Sequence, residues 1–393
     1  MTMATIACAP FTPAVPDVVL AFETSVIPHS RHVEAKAAIR ALHGRHRPQG
    51  SDRRFKARAL LIVGASGSGK TTALEDYMAD FPDLTLENVS RSSPLPQDMD
   101  RLHDGDIRRI VYVEAPERTT RRALVAAILG AYGYKARDHW NTSDVIEKIA
   151  FYAEEMGTEL IFIDEGHHMV NDANPDATAE VTEFIKSLLN RVKVQIVIAG
   201  LPPLLDIAAP GQKTMQLRRR LQPPVILKPY SWISRSGRTM FSSVLGVMEK
   251  MMHLPDPSGL AKHEVAKRIY VASRGEIGMV SKYLSQALTL ALARGKRSID
   301  LDLLGEVHTS WFGGYGAASE EIIDFDMIVD DGQLAALARA SVEHDNPFLC
   351  SNDRLREMWR HDGVTSPPPD QSRTMRLRGK GRGPYRPFGN SEG

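Results

Sequence analysis

The apolar residues of this chain are spaced differently in different parts of its length. From residue 59 to about residue 200, short apolar runs alternate with segments in which apolar residues recur every three or four positions. The runs indicate buried strands, and the segments indicate amphipathic helices. The predicted strands are 59–63, 110–114, 159–163 and 194–199, and the predicted helices lie near 70–80, 119–132, 143–155 and 179–191. This order predicts an α/β fold, a parallel sheet flanked by helices, with ligands bound at the carboxyl ends of the strands.

Beyond residue 230 the strand pattern stops and only helical spacing remains. Helices are predicted at 236–252, 260–272 and 277–294, with a shorter one from Leu301, which together favour a small helical lid domain after the sheet. Prolines punctuate the first residues, which are expected to be extended. The predicted divisions are an extended N-terminal arm (1–31), a basic helix and linker (32–58), the α/β domain (59–229), the lid (230–310) and a C-terminal extension (311–393) with a possible helix at 333–343 and a disordered basic tail.

Charge is distributed unevenly, although the formal net charge is only +1. Between Arg31 and Arg58, nine Lys or Arg stand against Glu34 and Asp52. Between residues 371 and 390 there are six Lys or Arg and no acid. Clustered cations favour a polyanionic partner such as nucleic acid. A solvated surface and a solubilising tail would explain the same composition.

Cysteine usage and hydropathy bear on the compartment. Only Cys8 and Cys350 are present, without a CxxC pair, so neither a disulfide framework nor a zinc site is expected. No apolar run reaches the length of a membrane span. We therefore expect a cytoplasmic protein with no membrane partner.

The strongest motif lies between the first predicted strand and the first helix after it. It fits the phosphate-binding loop pattern GxxxxGK[ST] and is followed by Thr72. Glycines let the chain turn tightly enough to point N–H groups at a phosphate, and the helix directs its positive end at the same anion. Lys70 is expected to reach the β and γ phosphates of ATP, and Thr71 to bind Mg²⁺. The loop residues are Gly64, Ala65, Ser66, Gly67, Ser68, Gly69, Lys70 and Thr71.

A second motif is the apolar run that ends in Asp164 and Glu165. In-line phosphoryl transfer needs neutralised charge and a positioned water. We expect Asp164 to hold Mg²⁺ through water and Glu165 to act as the general base. His167 and His168 follow; loop-orienting or surface roles are favoured over a metal site, because no further ligand completes a set.

A third motif is the arginine run Arg218, Arg219 and Arg220, which follows the fourth strand and its loop. An arginine from a neighbouring subunit can neutralise charge on the γ-phosphate, and such a residue implies a ring or filament. Arg220, and second Arg219, are the candidates. Pairing with surface acids or with DNA phosphates is the alternative.

Taken together, these residues resemble a known group of ATPases. The phosphate loop, the sequence Ile163-Asp164-Glu165 with His167, the strand ending at Gly200 and the run 219–221 look like the AAA+ transposition regulators of the TniB/TnsC type, relatives of MuB. The likeness covers roughly residues 33–304. It implies an ATPase that assembles on double-stranded DNA as a homo-oligomeric filament or ring, selects a target site together with a target-selection protein, and recruits or activates a transposase.

The resemblance also implies where DNA is bound and where this chain departs from the family. Filament-forming relatives grip the DNA backbone through residues between the two nucleotide motifs, which here are Arg118, Thr119, Arg121 and Arg122. Two sensor positions differ. Leu201 follows Gly200 where a polar sensor is usual, and Gly278 stands where many AAA+ proteins place an arginine, for which Arg274 is a substitute candidate. These departures imply slow hydrolysis, and the resemblance as a whole implies that hydrolysis is stimulated by DNA and that the protein is nucleoid-associated.

Other DNA-associated AAA+ ATPases remain as alternatives. A replication initiator or helicase loader would be expected to carry a winged-helix domain after the lid, and an ExeA-like secretion ATPase would carry a membrane span. The sequence shows neither pattern.

Overall fold

Five parallel strands form the centre of the fold in the computed structural model, which describes residues 16–47, 56–84, 107–117, 119–137, 139–170, 175–208, 215–312, 346–352 and 355. The strands lie in the order β2-β3-β4-β1-β5. Every residue of β1, β3 and β4 is buried, as expected for a parallel sheet with both faces covered. The strands are β1 (Ala59–Gly64), β2 (Ile110–Glu114), β3 (Leu160–Asp164), β4 (Gln195–Gly200) and β5 (Val225–Leu227). The predicted α/β fold is confirmed.

Helices cover the two faces of the sheet because successive strand residues point to opposite sides. Ile39 and Tyr77 pack on one face with Phe162, and Ile146 and Phe184 pack on the other. Burying a side chain such as Phe162 contributes about 1.5–3 kcal/mol. The helices of this part of the chain are α1 (Asp17–Thr24), α2 (Ser30–His43), α3 (Lys70–Met78), α4 (Arg121–Ala131), α5 (Thr142–Glu155), α6 (Pro175–Arg191) and α7 (Met215–Arg218), with 3₁₀ turns at Gly166–Met169 and Pro202–Ala208.

The remaining helices form the lid, which has an apolar core of its own. Its largest buried side chains include Phe241 and Tyr283. Phe348 from the C-terminal extension also belongs to this core. The lid helices are α8 (Arg235–Met251), α9 (His263–Ser273), α10 (Ile277–Ala293) and α11 (Leu301–Phe312).

The structure corrects the sequence-based prediction near the N-terminus and within the core. The predicted extended arm contains α1, because Pro16 can stand at the helix N-cap while Val19 and Phe22 bury one face against the lid. The prediction also missed β5 and α7, which are too short for periodicity to detect.

Ion pairs neutralise part of the basic segment before the core. The Lys36 ammonium lies 2.8 Å from the Asp76 carboxylate and 3.2 Å from that of Asp80. His32 Nε2 lies 2.8 Å from Asp76 as well. Lys36 and His32 of this segment thus hold α2 against α3, a packing role that differs from both a polyanion-binding surface and a solvated one.

Several predicted features lie outside the described residues. These are the possible helix at 333–343, the basic run at 371–390, Arg53, Arg54 and Arg118. Within the described part of the chain, no helix combines the length and the apolar character needed to cross a membrane.

Candidate nucleotide-binding and hydrolysis site

The phosphate-binding loop connects β1 to α3 at the carboxyl edge of the sheet. Gly69 stands at the N-cap of α3 with φ of +86°, a left-handed conformation that favours glycine, and Gly67 has φ of +72°. Because α3 begins at Lys70, its first N–H groups and its positive dipole end face the space enclosed by the loop. The sequence motif has therefore folded as a glycine-rich turn before a helix N-terminus, a geometry that suits an anion.

Lys70 is buried beneath this loop. Its Nζ donates hydrogen bonds to the carbonyl oxygens of Gly64, at 3.0 Å, and Ala65, at 2.8 Å. Burial lowers the pKa of Lys70 below its usual value, and the nearby Glu165 and Asp164 partly oppose this shift. A desolvated ammonium gains from an anion beside it, so the loop is electrostatically suited to a phosphate.

Asp164, the last residue of β3, joins the two nucleotide motifs. Its Oδ2 accepts hydrogen bonds from Thr71 Oγ1 at 2.7 Å and from the Tyr112 hydroxyl at 3.1 Å. Its Oδ1 accepts from the backbone N–H of Glu165 at 2.7 Å. Thr71 and Asp164, the predicted Mg²⁺ residues, are thus in direct contact, and their hydroxyl and carboxylate oxygens are the hard donors that Mg²⁺ prefers.

Glu165 is held in an uncommon backbone conformation. Its φ is +50°, which is rare for a residue with a side chain and costs on the order of 1–3 kcal/mol. The hydrogen bond from its N–H to Asp164 offsets part of this cost. The left-handed turn breaks the strand immediately after Asp164 and leaves the Glu165 side chain lining the cavity beside the loop.

That cavity has a volume of about 460 Å³ and lies between the phosphate-binding loop and the 3₁₀ turn that follows β3. One wall is the apolar side chain of Leu201, at the position where the family resemblance implies a polar sensor. The lining residues are Ser66, Gly67, Gly69, Lys70, Thr71, Thr72, Glu165, His167, His168 and Leu201.

The two histidines contact the predicted general base. His167 Nδ1 lies 3.1 Å from Glu165 Oε2, and the rings of His167 and His168 lie 4.2 Å apart. Burial, and then the adjacent His168, lower the pKa of His167. One ligand atom from each of Glu165, His167 and His168 falls within 4.8 Å of the others. The Glu165 contact supports the predicted loop-orienting role for His167.

Tyr112 is a site residue that the sequence analysis missed. It lies on β2, whose register pairs it with Phe162 and pairs Glu114 with Asp164. Burial, and then the Asp164 carboxylate, raise the pKa of the Tyr112 phenol, so its hydroxyl remains a donor to Asp164 at neutral pH. Only the adjacency of β2 and β3 reveals this role, and strand order is not visible in the sequence.

The lid touches the phosphate-binding loop through two glycines. The Gly278 N–H, in the first turn of α10, donates to the carbonyl oxygen of Gly67 at 3.0 Å. A Cβ at Gly278 would lie 2.4 Å from that oxygen and 2.9 Å from Gly67 Cα. The position that the resemblance assigns to a sensor arginine therefore has no room for any side chain as long as the Gly278–Gly67 contact is made. Arg274, the substitute candidate, is exposed at the C-terminal end of α9.

Replacing Gly278 with alanine should push the lid away from the loop and weaken ATP binding. Overpacking against backbone typically costs about 1–3 kcal/mol, which corresponds to a loss in affinity of roughly 5- to 150-fold. A fluorescent ATP analogue titrated into the variant measures the effect. The matched control is Gly246→Ala on α8, where a Cβ would make ordinary contact with Ala261 at 3.8 Å and should leave affinity unchanged. Equal affinities of the two variants would show that the lid contact is dispensable.

The arginine run lies at the opposite edge of the sheet, beside the start of β1. Arg220 is engaged within the chain, because its guanidinium donates to the Ala57 carbonyl oxygen at 3.1 Å and to the Asn190 side chain. Arg219 is exposed. These contacts favour Arg219 over Arg220 as the arginine available to a neighbouring subunit.

The predicted DNA-contact residues lie at the start of α4. Arg121 and Arg122 are exposed there, shortly after the carboxyl end of β2, and the Arg121 guanidinium also lies 6.0 Å from the Phe184 ring centroid. Thr119 hydrogen-bonds the Pro116 carbonyl oxygen, which shapes the turn before the helix. The arginines therefore lie on the same edge of the sheet as the nucleotide site.

Comparison with known proteins agrees with this fold. A family model described as an AAA domain matches residues 53–208. Among solved structures, the Cdc6p protein of Pyrobaculum aerophilum has a TM-score of 0.51 at 12% identity, covering 88% of this chain and 89% of that one. The ORC2 protein of Aeropyrum pernix has a TM-score of 0.47 at 14% identity, covering 88% and 89%. A search of the curated proteins finds no match.

The matched segment contains the phosphate-binding loop, the acidic pair and four of the five strands. Cdc6p shares the fold with this chain, and at this identity the likeness concerns the fold alone. Residues 53–208 therefore match a model of an AAA domain, and they carry the phosphate-binding loop and the acidic pair on a fold shared with Cdc6p.

Proposed function

We propose that this protein is an ATP-dependent DNA-binding ATPase that assembles on double-stranded DNA and regulates DNA transposition, by marking a target site and recruiting or activating a transposase. The observation that carries its ATPase part is the meeting of Lys70, Thr71, Asp164 and Glu165 around one cavity. Ninety-three positions separate Thr71 from Asp164 in the sequence, yet their side chains are hydrogen-bonded.

These contacts support the following proposed roles in hydrolysis. Lys70 would exchange its two carbonyl partners for the β and γ phosphate oxygens, since an anion compensates its buried charge better than neutral carbonyls. Mg²⁺, held by Thr71 and through water by Asp164, would neutralise charge on the phosphates. Glu165 would accept a proton from the attacking water, and His167 would keep its carboxylate oriented.

The two altered sensor positions support slow turnover. Leu201 offers no hydrogen bond to a γ-phosphate or its attacking water, and Gly278 contributes a backbone N–H to the loop instead of a positive charge. Fewer groups then stabilise the charge that develops in the transition state. ATP would serve mainly to switch assembly, with hydrolysis stimulated by DNA and followed by disassembly.

Assembly requires a contact between neighbouring subunits. Arg219 is exposed at the edge of the sheet opposite the nucleotide site, so a head-to-tail arrangement would bring it to the ATP of the next copy. Repeated contacts of this type form a ring if the rotation closes and a helical filament if it does not. A trans-acting guanidinium makes assembly depend on ATP.

DNA binding would use the positive start of α4. Arg121 and Arg122 are exposed, and contacts of such residues with the phosphate backbone hold the duplex without reading its sequence. Arg118 precedes them in the sequence and would add to the same surface. The transposition role rests on the resemblance of the motifs to the TniB/TnsC type.

A replication-initiator-like role is the second candidate. The similarity to Cdc6p extends over 88% of this chain, although at 12% identity it supports only a shared architecture. An initiator-like protein would be expected to form discrete assemblies. A TniB/TnsC-like protein should extend along DNA.

Electron microscopy of the purified protein with linear duplex DNA separates these candidates. With a non-hydrolysable ATP analogue we expect filaments that coat the duplex and that are absent without nucleotide. Arg219→Ala should abolish them while retaining ATP binding. Arg40→Ala, which removes an exposed arginine on α2, should form them normally. Small rings that form without DNA would contradict the transposition-regulator proposal and favour the second candidate.

A further inference from the structure

A short segment of the C-terminal extension is docked on the lid. Residues 346–352 follow α11 after 33 intervening residues and pack against α9, α10 and α11. Asn346 and Phe348 are among the most buried residues of this part of the chain, exposed to only 1% and 4%. Residues 347–350 form a turn and a bend, and helix is assigned at Asn352, so contacts with the lid rather than a sheet ladder hold residues 346–350 in place.

The Asn346 side chain is held on the lid by hydrogen bonds. Its Nδ2 donates to the Gly305 carbonyl oxygen at 2.8 Å and to Thr309 Oγ1 at 3.1 Å, both on α11. Its Oδ1 accepts from the backbone N–H of Phe348 at 3.0 Å, which closes the turn. Donor and acceptor of the amide are both used, so aspartate or leucine could not make the same contacts.

Arg268 on α9 holds the backbone of the same segment. Its Nη1 lies within hydrogen-bond distance of the carbonyl oxygens of Pro347, at 2.7 Å, Phe348, at 3.3 Å, and Cys350, at 3.0 Å. A guanidinium that contacts several carbonyl oxygens of one short segment fixes the path of its backbone without regard to its side chains. Arg268 therefore supplies affinity, and Asn346 supplies sequence selectivity.

An aromatic cleft accepts the Phe348 ring. The ring centroid lies 6.2 Å from that of Tyr283 on α10 and 5.9 Å from that of His308 on α11. Next to it, Gly305 makes room for Leu349, since a Cβ there would lie 2.8 Å from the leucine side chain. An aromatic anchor in a cleft beside a hydrogen-bonded turn is typical of peptide recognition.

We propose that this surface, made by Arg268, Tyr283, Gly305, His308 and Thr309, is a peptide-binding site whose ligand is residues 346–352 of the same chain. The segment is a detachable ligand that fills the site in cis.

The test uses the full chain carrying Phe348→Ala, the disarmed protein, whose own segment should no longer fill the site. A fluorescent synthetic peptide of residues 344–352 is the probe. Fluorescence anisotropy should show that the disarmed protein binds the peptide at least tenfold more tightly than the wild type, whose site is already occupied. A peptide carrying the same alanine should not bind. Adding Arg268→Ala to the disarmed protein should abolish binding.

The control variant is Phe151→Ala, which removes an exposed phenylalanine from α5. It should bind the peptide as weakly as the wild type does. Absence of peptide binding to a folded disarmed protein would overturn the proposal. Loss of cooperative melting in that variant would overturn it equally, because a detachable ligand can leave its site without unfolding it. Failure of DNA binding or ATP hydrolysis in other experiments would leave this result unaffected.

Discussion

Replacing Glu165 with glutamine should reduce ATP turnover by about 10²–10⁴-fold while leaving ATP affinity within a few-fold of the wild type. Glutamine keeps the size and the backbone turn of Glu165 but cannot accept the proton of the attacking water. Lys70, Thr71 and Asp164 are untouched, so the phosphates are still bound. Under the proposed switch, the variant should remain assembled on DNA in ATP. Phosphate release and sedimentation with duplex DNA measure the two effects.

Glu114→Gln is the matched control for this substitution. Glu114 ends β2 as Asp164 ends β3, the two residues are in register, and the Glu114 side chain is exposed at the same edge of the sheet. Its replacement should leave turnover unchanged. If both glutamine variants lost activity equally, general electrostatics at the strand ends would explain the result rather than a base at Glu165. If the Glu165→Gln variant no longer bound DNA, the proposal that ATP switches assembly on DNA would be contradicted.

The fold was predictable where apolar runs coincide with buried parallel strands. Such strands contact helices on both faces, so β1, β3 and β4 appear as unbroken apolar stretches in the sequence. The strand β5 has only three residues, and its middle residue Ile226 is exposed, so no periodicity marks it. The helix α1 was mistaken for extended chain because the prolines before it suggested a breaker, whereas Pro16 precedes a helix whose face is covered by the lid.

The candidate site was predictable only where its functional residues lie close together in the sequence. The loop from Gly64 to Thr71 and the pair Asp164 and Glu165 carry their own signature, because phosphate binding needs those residue types in that order. Tyr112 carries none, since its role depends on the adjacency of β2 and β3. The sequence showed that Gly278 departs from the family pattern but gave no reason for a glycine there. The reason is a backbone contact with Gly67, which lies 211 positions away in the sequence.

The arginine run shows how tertiary contacts reorder candidates that are equivalent in the sequence. Arg219 and Arg220 are neighbours of the same type. Arg220 is held by Ala57 and Asn190, which lie 163 and 30 positions away, whereas Arg219 is exposed. Arg220 thus contributes to the packing of α7 and the start of β1 on α6, and a test of the subunit contact should begin with Arg219.

Replacing Lys70 with alanine should lower ATP affinity by about 10²-fold or more and prevent assembly on DNA. A hydrogen bond to a charged group contributes about 1.5–3 kcal/mol, and the lysine would reach two phosphates, so a loss of at least about 3 kcal/mol is expected. Lys70 is the only lysine or arginine among the described residues that line the cavity. A fluorescent ATP analogue measures the affinity directly.

Melting curves distinguish this loss of binding from a loss of structure. ATP at 100 times its dissociation constant stabilises a native protein by about 2.7 kcal/mol, so the wild type should melt at a clearly higher temperature with ATP than without it. Lys70→Ala should melt cooperatively and show no such rise. Lys186→Ala, which removes a half-buried lysine paired with Glu183 on α6, should keep the full rise. A normal rise in the Lys70 variant would mean that ATP is bound without the Lys70 ammonium, and it would contradict the proposed role of this lysine in holding the phosphates.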